Sequence, residues 1–267
     1  MPWFPTVEWY DKYRETLNDN PRFRNLIRDW GEEFDGDFVF EIRDMPLDEH
    51  TLDDVPDEML GIDRMPDEIW DDLPDAIERE IKREGIDKPV YKSFSLLDES
   101  VRNALSDEMR ALLEESEALF DSDPTYVEAV DEMSDELRDF LPPHLDSLVH
   151  QLENFVTDDY EAYAYMDVED GQVVEARALE PDEVDGIDAG FHLYGDYDDW
   201  EYFMKSDETV IGVVMDEVLK PEGEMLTLME YADALNEMGE TRHEVETRYI
   251  FDVADADTGA EKLPEAV

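Results

Sequence analysis

Cysteine is absent from this chain. That excludes disulfides, thiolate nucleophiles and thiolate metal ligands, and it suits an intracellular protein. Cations are nearly as scarce. The sequence has 21 Lys plus Arg against 77 Asp plus Glu, a formal net charge of −56 over 267 residues. With no cluster of Lys and Arg to neutralise phosphates, nucleic acid and anionic membrane surfaces are disfavoured as partners. Long hydrophobic runs are missing too. No stretch of about 18 apolar residues exists, so no transmembrane helix is expected. The N-terminus, Met1-Pro2-Trp3-Phe4-Pro5, has no basic region followed by an apolar one, so no signal peptide is expected. A cytoplasmic location without stable membrane anchoring follows as the expectation. Glycine, at 12 residues, is sparse and scattered, which argues against a phosphate-cradling loop.

What is present is a core under an acidic coat. Hydrophobic residues make up 42% of the chain, including 12 Phe, 12 Tyr and 5 Trp. That is too apolar for a disordered acidic tail. A shell of carboxylates repels itself and opposes compaction. At about 1 M salt the Debye length falls to roughly 3 Å and most of that repulsion is screened. The composition points to a salt-saturated cytoplasm such as that of haloarchaea. A neutral apolar ligand stays compatible with it, because the hydrophobic effect needs no charge.

Along the chain, Thr6 is placed to cap a helix carrying Trp9, Tyr10, Tyr13 and Leu17 on one stripe. Asn20-Pro21 restarts it, with Asn20 as a new cap and Pro21 at the first helical position. Phe38, Phe40 and Ile42 alternate with Val39, Glu41 and Arg43, the pattern of a strand buried on one face. Residues 44–92 are rich in Asp, Glu and Pro, with a helix expected around Ile69, Trp70, Leu73, Ile77 and Ile81. From 98 to 156 the periodicity is helical, with Asp123-Pro124 read as a cap followed by a first-turn proline. Strands return at 160–168 and 173–179, joined at Asp170-Gly171, a strong two-residue hairpin signal. A strand at 190–194, short helices at 196–204 and 207–215, and a continuous helix at 225–238 stopped by Gly239 follow. Clean alternation from Val245 to Val253 predicts a last strand. The expected organisation is residues 1–43, helix and first strand; 44–158, an acidic helical insertion; 159–253, the rest of the sheet domain; and 254–267, a frayed tail. The fold class is α+β: a twisted mixed or antiparallel sheet of about five strands packed by helices, with a large helical insertion.

The segment FHLYGDYDDWEYFMKSDETVIGVVMDEVLKPEGEMLTLMEYADALNEM, Phe191 to Met238, resembles the sterol carrier protein family in its divergent archaeal form. The carrying elements are an apolar strand at Phe191–Tyr194, a short helix anchored by Trp200, and an apolar helix at Glu208–Met215. A short strand at Val218-Leu219-Lys220 ending at Gly223-Glu224, then the helix from Met225, completes the set. The first strand at 37–42 and the hairpin around Asp170-Gly171 fit the same order. Pro221 departs from the pattern, which makes its strand short or places it at an edge. Residues 44–158 have no counterpart in the minimal family domain. The resemblance implies helices packed over one face of the sheet, with a tunnel between them holding a lipid, acyl chain or sterol-like molecule that is carried and not transformed.

The candidate ligand-binding residues are Phe40, Phe191, Leu193, Trp200, Phe203, Val214, Met215, Leu228 and Met229. Under the resemblance Phe203, Met215 and Met229 come first, since the flexible thioether adapts to varied ligands. The bland alternative is ordinary core packing. No catalytic residues, cofactor or metal are expected. The five histidines, His50, His144, His150, His192 and His243, show no metal-ligand spacing, and no serine sits in a G-x-S-x-G frame. Paired acids such as Asp53-Asp54, Asp158-Asp159 and Asp198-Asp199 arise repeatedly by chance in so acidic a chain. Three readings remain open. The first is a non-catalytic carrier of a hydrophobic small molecule: a lipid, isoprenoid, quinone or acyl chain. The second is a protein-interaction module using residues 98–156. The third is an enzyme built on His192 and neighbouring acids.

Overall fold

A computed structural model of the chain describes residues 1–32, 34–55, 94–96, 99–103, 105–141 and 143–252. The helix expected around Ile69–Ile81 and the tail from 254 lie outside the described residues. In chain order the main elements are β1 (Trp3–Phe4), α1 (Val7–Asp19), α2 (Pro21–Leu26), β2 (Phe38–Arg43), α3 (Asp107–Ser122), α4 (Tyr126–Glu132), α5 (Pro143–Phe155), β3 (Ala162–Glu169) and β4 (Gln172–Leu179). They continue with β5 (Phe191–Asp196), α6 (Tyr197–Lys205), α7 (Val210–Met215), β6 (Lys220–Gly223), α8 (Met225–Glu230), α9 (Ala232–Thr241) and β7 (Arg248–Tyr249). The chain divides into two compact units. One comprises Met1–Pro46 and Glu153–Tyr249; the other comprises Leu47–Leu152 and Ile250–Val267.

The first unit is built on a five-stranded mixed sheet in the order β4-β3-β2-β5-β6. β2 pairs parallel with β5 and antiparallel with β3; β3–β4 and β5–β6 are antiparallel. This is the α+β layout. The register sets Phe38 beside Met166 and Phe191, and Phe40 beside Ala164 and Leu193. One face is therefore apolar, because side chains alternate with period two. The opposite face carries Glu41, Tyr163, Tyr165, His192 and Tyr194. The β3–β4 turn has positive φ at both Asp170 (49°) and Gly171 (74°), the geometry the Asp-Gly pair suits. β6 is an edge strand with Pro221 opposite Leu193, a position where a missing N–H is tolerated.

The helix starts follow local chemistry. The Asn20 side chain accepts from the N–H groups of Arg22 and Phe23, with Pro21 at the first position of α2. Thr6 precedes α1 but makes no side-chain cap; its hydroxyl donates to the Trp3 carbonyl. Asp123 does not start a helix. It ends α3 in the left-handed region, and Thr125 caps α4 through a box with Glu128.

Two long-range effects redraw the C-terminal elements. The helix expected over 225–238 is broken at Tyr231, whose hydroxyl donates to the Asp29 carbonyl at 3.1 Å and whose ring packs on Trp30 at 4.9 Å. Gly239 does not stop the second piece, which runs on to Thr241. The last strand is also shorter than its alternation suggests. Among its described residues only Arg248–Tyr249 pairs, in parallel with β1, and Ile250 and Phe251 belong to the second unit.

The second unit is helical where it is described. Met109, Leu112 and Leu113 of α3, Tyr126 and Ala129 of α4, Leu137, and Leu145 and Val149 of α5 are buried. No large apolar side chain of the described part of residues 98–156 is exposed. His50, Tyr126 and Phe251 stack within this unit, with the His50 and Phe251 rings 4.9 Å apart.

Candidate functional site

The apolar face of the sheet and the helices over it enclose a space of about 50 Å³ in the first unit. α1 contributes Trp9, Tyr10 and Tyr13; the strands contribute Phe40, Ile42, Met166, Ala176 and Leu193. α6 and α7 contribute Trp200, Phe203, Met204 and Val210, and α9 with the turn after it contributes Met238, Gly239 and Arg242. Each wall has an anchor. The Trp200 indole N–H donates to the Glu41 carbonyl at 2.8 Å, fixing α6 to the central strand. The Trp9 indole donates to Thr247 at 2.9 Å, and the Tyr13 hydroxyl donates to the Met238 carbonyl at 2.7 Å, tying α1 to α9. Burial pushes the Tyr10 and Tyr13 hydroxyls well above their ordinary pKa. The walls are thus hydrocarbon and aromatic ring, with the polar atoms of Tyr13, Trp200 and Arg242 bonded to main-chain carbonyls and that of Trp9 to the Thr247 hydroxyl. Such a space can bury an apolar group.

Of the nine predicted residues, the structure brings four to this space: Phe40, Leu193, Trp200 and Phe203. Phe191 lies in a neighbouring aromatic cluster with Trp30, Phe34 and Phe38. Leu228 is buried and Val214 half-buried, but neither lines the space. Met215 is 68% exposed and Met229 48% exposed, both turned to solvent. The physical reason is helix phase: Met215 is the last residue of α7, and Met229 follows the buried Leu228 by one residue, about 100° around α8. The lining residues missed include those of α1 and α9, and also Ile42, Met166, Ala176, Met204 and Val210. The stripe Trp9, Tyr10, Tyr13 was a legible signal; Gly239 and Arg242 gave none.

The opposite face of the sheet is polar. Glu41, only 4% exposed, lies 2.7 Å from His192 Nε2 and accepts a hydrogen bond from Arg43 Nε. That bond to Glu41 raises the Arg43 pKa further. His192 is half-buried and points away from Phe191 and Leu193, as alternation requires. Nearby, the Tyr165 hydroxyl donates to Asp37. Asp167 beside them is pushed up to about 7, first by burial and then by the charge of Asp37. Among the described residues no group of three or more His, Asp or Glu side chains is placed to hold a metal ion. No described helix is long and apolar enough to cross a membrane.

No protein-family model matches this sequence, and neither does any curated protein. Among solved structures, the chain is similar to the crystal structure of sterol carrier protein 2, at 12% identity and a TM-score of 0.42 over 90% of this chain and 97% of that one. It is also similar to the solution structure of a conserved hypothetical protein of Thermus thermophilus, itself proposed to be a sterol carrier protein. That match has 12% identity and a TM-score of 0.42 over 91% of this chain and 90% of the other. Overlap of that extent at that identity does not assign the chain to a family.

Proposed function

We propose that the first unit binds a hydrophobic small molecule in the apolar space between the sheet and α1, α6, α7 and α9, and carries it without chemical change. The observation that supports this reading is the composition of the walls: helices and strands alike converge on one space with apolar surface. The driving force is burial alone. Each CH₂ removed from water contributes about 0.8 kcal/mol, and a chain of several such groups offsets an association penalty of about 4 kcal/mol at its lower bound. At about 50 Å³ the unfilled space has room for only a few waters, each of which needs roughly 10–15 Å³ on that measure. A lipid, isoprenoid, quinone or acyl chain therefore enters by moving side chains or helices apart. The setting we infer is a salt-rich cytoplasm, in which the acidic coat is screened.

The test is organic extraction and mass spectrometry of protein purified at multi-molar KCl, followed by titration of the stripped protein with straight-chain alcohols of rising length. The expected result is a co-purifying apolar species and affinity that climbs with each added CH₂. Leu193→Trp, which adds bulk at the wall, is expected to abolish binding while the far-ultraviolet circular dichroism and cooperative unfolding stay native. Affinity independent of chain length, or binding untouched by Leu193→Trp, refutes this site.

A further inference from the structure

Arg242, in the turn after α9, is only 2% exposed. Its guanidinium is held entirely by main-chain carbonyls. Nε donates to Phe203 at 3.0 Å, Nη2 to Ser206 at 2.7 Å and to Glu208 at 2.9 Å, and Nη1 to Gly239. The group lies over the Phe203 ring, 4.1 Å from its centroid. In a chain with 77 acidic residues, no described carboxylate pairs with it. Arg22, Arg43 and Arg177 by contrast each hold a glutamate. Burial pulls its pKa down from the usual arginine value.

These bonds join two opposing walls of the apolar space. Phe203 and Ser206 close the end of α6, and Glu208 lies in the connection to α7. Gly239 belongs to the last turns of α9. Where the walls meet they touch: a Cβ on Gly239 would stand 2.7 Å from Val210 Cγ2 and 3.4 Å from Phe203 Cζ.

The choice of side chain matters. An apolar residue at 242 would hold the walls by packing and could leave only by exposing hydrocarbon to water. A guanidinium bonded only to carbonyls gives up those bonds on leaving, but it regains the hydration that burial removed. Rehydration therefore offsets part of the cost of release, which suits the group to a two-state element.

We propose that Arg242 is a latch: it holds α9 against the α6–α7 connection in the empty protein and swings clear when a hydrocarbon ligand enters between them. This rests on the ligand reading above. A ligand larger than the present space has to part these walls; the strap, with its four carbonyl partners, holds them together alongside the bond from the Ile211 N–H to Asn236 Oδ1 at 3.2 Å.

The experiment uses cis-parinaric acid as the probe and the full chain in multi-molar KCl. Nitrogen-15 NMR follows hydrogen exchange at the Arg242 Nε–H with and without saturating probe. In the free protein this hydrogen is expected to be protected, and probe binding is expected to speed its exchange by about tenfold or more, as for an opened segment. Arg242→Met keeps the packing on Phe203 and removes every donor; stopped-flow uptake is expected to be about tenfold faster than in the parent. Probe that binds while the Nε–H stays fully protected overturns the latch and leaves the ligand reading standing. Uptake by Arg242→Met at the parental rate overturns it equally. If that variant does not fold, the exchange measurement on the parent chain decides alone. If neither protein takes up the probe, the ligand reading falls and the latch falls with it.

Discussion

At the scale of single residues, the side chains that depart from the rule of the chain are the informative ones. Seventy-seven acids make most carboxylates solvent-facing ballast, yet Glu41 is buried on the central strand between Arg43 and His192. Asp167, beside Asp37, is another exception. Its pKa rises from 3.8 to about 7 because burial and the neighbouring charge favour the neutral form. The sign follows from linkage. Between about pH 4 and pH 7 the folded protein holds a proton that the unfolded chain has released, so this group's contribution to stability falls as pH rises through that window and is level above it. Asp167→Asn is expected to flatten the pH dependence. Urea midpoints at pH 5 and pH 8 in high salt should converge in the variant relative to the parent. An unchanged gap between the two midpoints would show that the carboxyl titrates normally in the fold.

The elements show where periodicity was enough and where it was not. α1, α2, β2 and the β3–β4 hairpin sit where stripes, caps and the Asp-Gly turn place them, because those signals act over a few residues. The 225–238 helix had one continuous apolar stripe and still broke at Tyr231, since a contact with Trp30 and Asp29, about two hundred positions away, outweighs local propensity. On the first piece Met229 faces solvent and Leu228, though buried, lines no part of the space, so the predicted wall residues on that segment are not in the wall. Gly239 illustrates a second long-range effect. In the interior of α9, alanine would be favoured by about 1 kcal/mol on propensity alone. The Cβ would strike Val210 at 2.7 Å, and overpacking of a tight contact costs typically about 1–3 kcal/mol. Gly239→Ala is therefore expected to be destabilising by about 1 kcal/mol despite the better helix former, read from urea unfolding. A stabilised variant would mean that α9 gives way without strain.

For the whole molecule, charge sets the conditions under which everything else holds. A net charge of −56 opposes the compact state through self-repulsion. Raising KCl from about 0.1 M to about 1 M shortens the Debye length from roughly 10 Å to roughly 3 Å, so Tm is expected to climb steeply across that range. A Tm indifferent to KCl would remove the case for adaptation to a salt-rich cytoplasm. The chain also divides into two units, and the apolar space belongs wholly to the first. In the second, the stripes of α3, α4 and α5 are buried within the described part, which leaves no exposed apolar face there to favour an interaction module.

The amino-acid sequence by itself determined the absence of thiol chemistry, the excess of acid, the helix start at Asn20-Pro21, the hairpin, and the α+β class with its alternating β2. These depend on composition or on contacts between near neighbours. It also marked Phe40, Leu193, Trp200 and Phe203, because their apolar side chains lie at the right period on the right elements. Only the tertiary structure decided which helix faces meet the sheet, and so which Met residues point to water and which line the space. It also decided that Gly239 lies against Val210, and that a lone arginine near the C-terminus straps two walls together. Those outcomes come from pairings across dozens to hundreds of positions. No local period encodes such pairings, because they exist only once the backbone has brought the partners together.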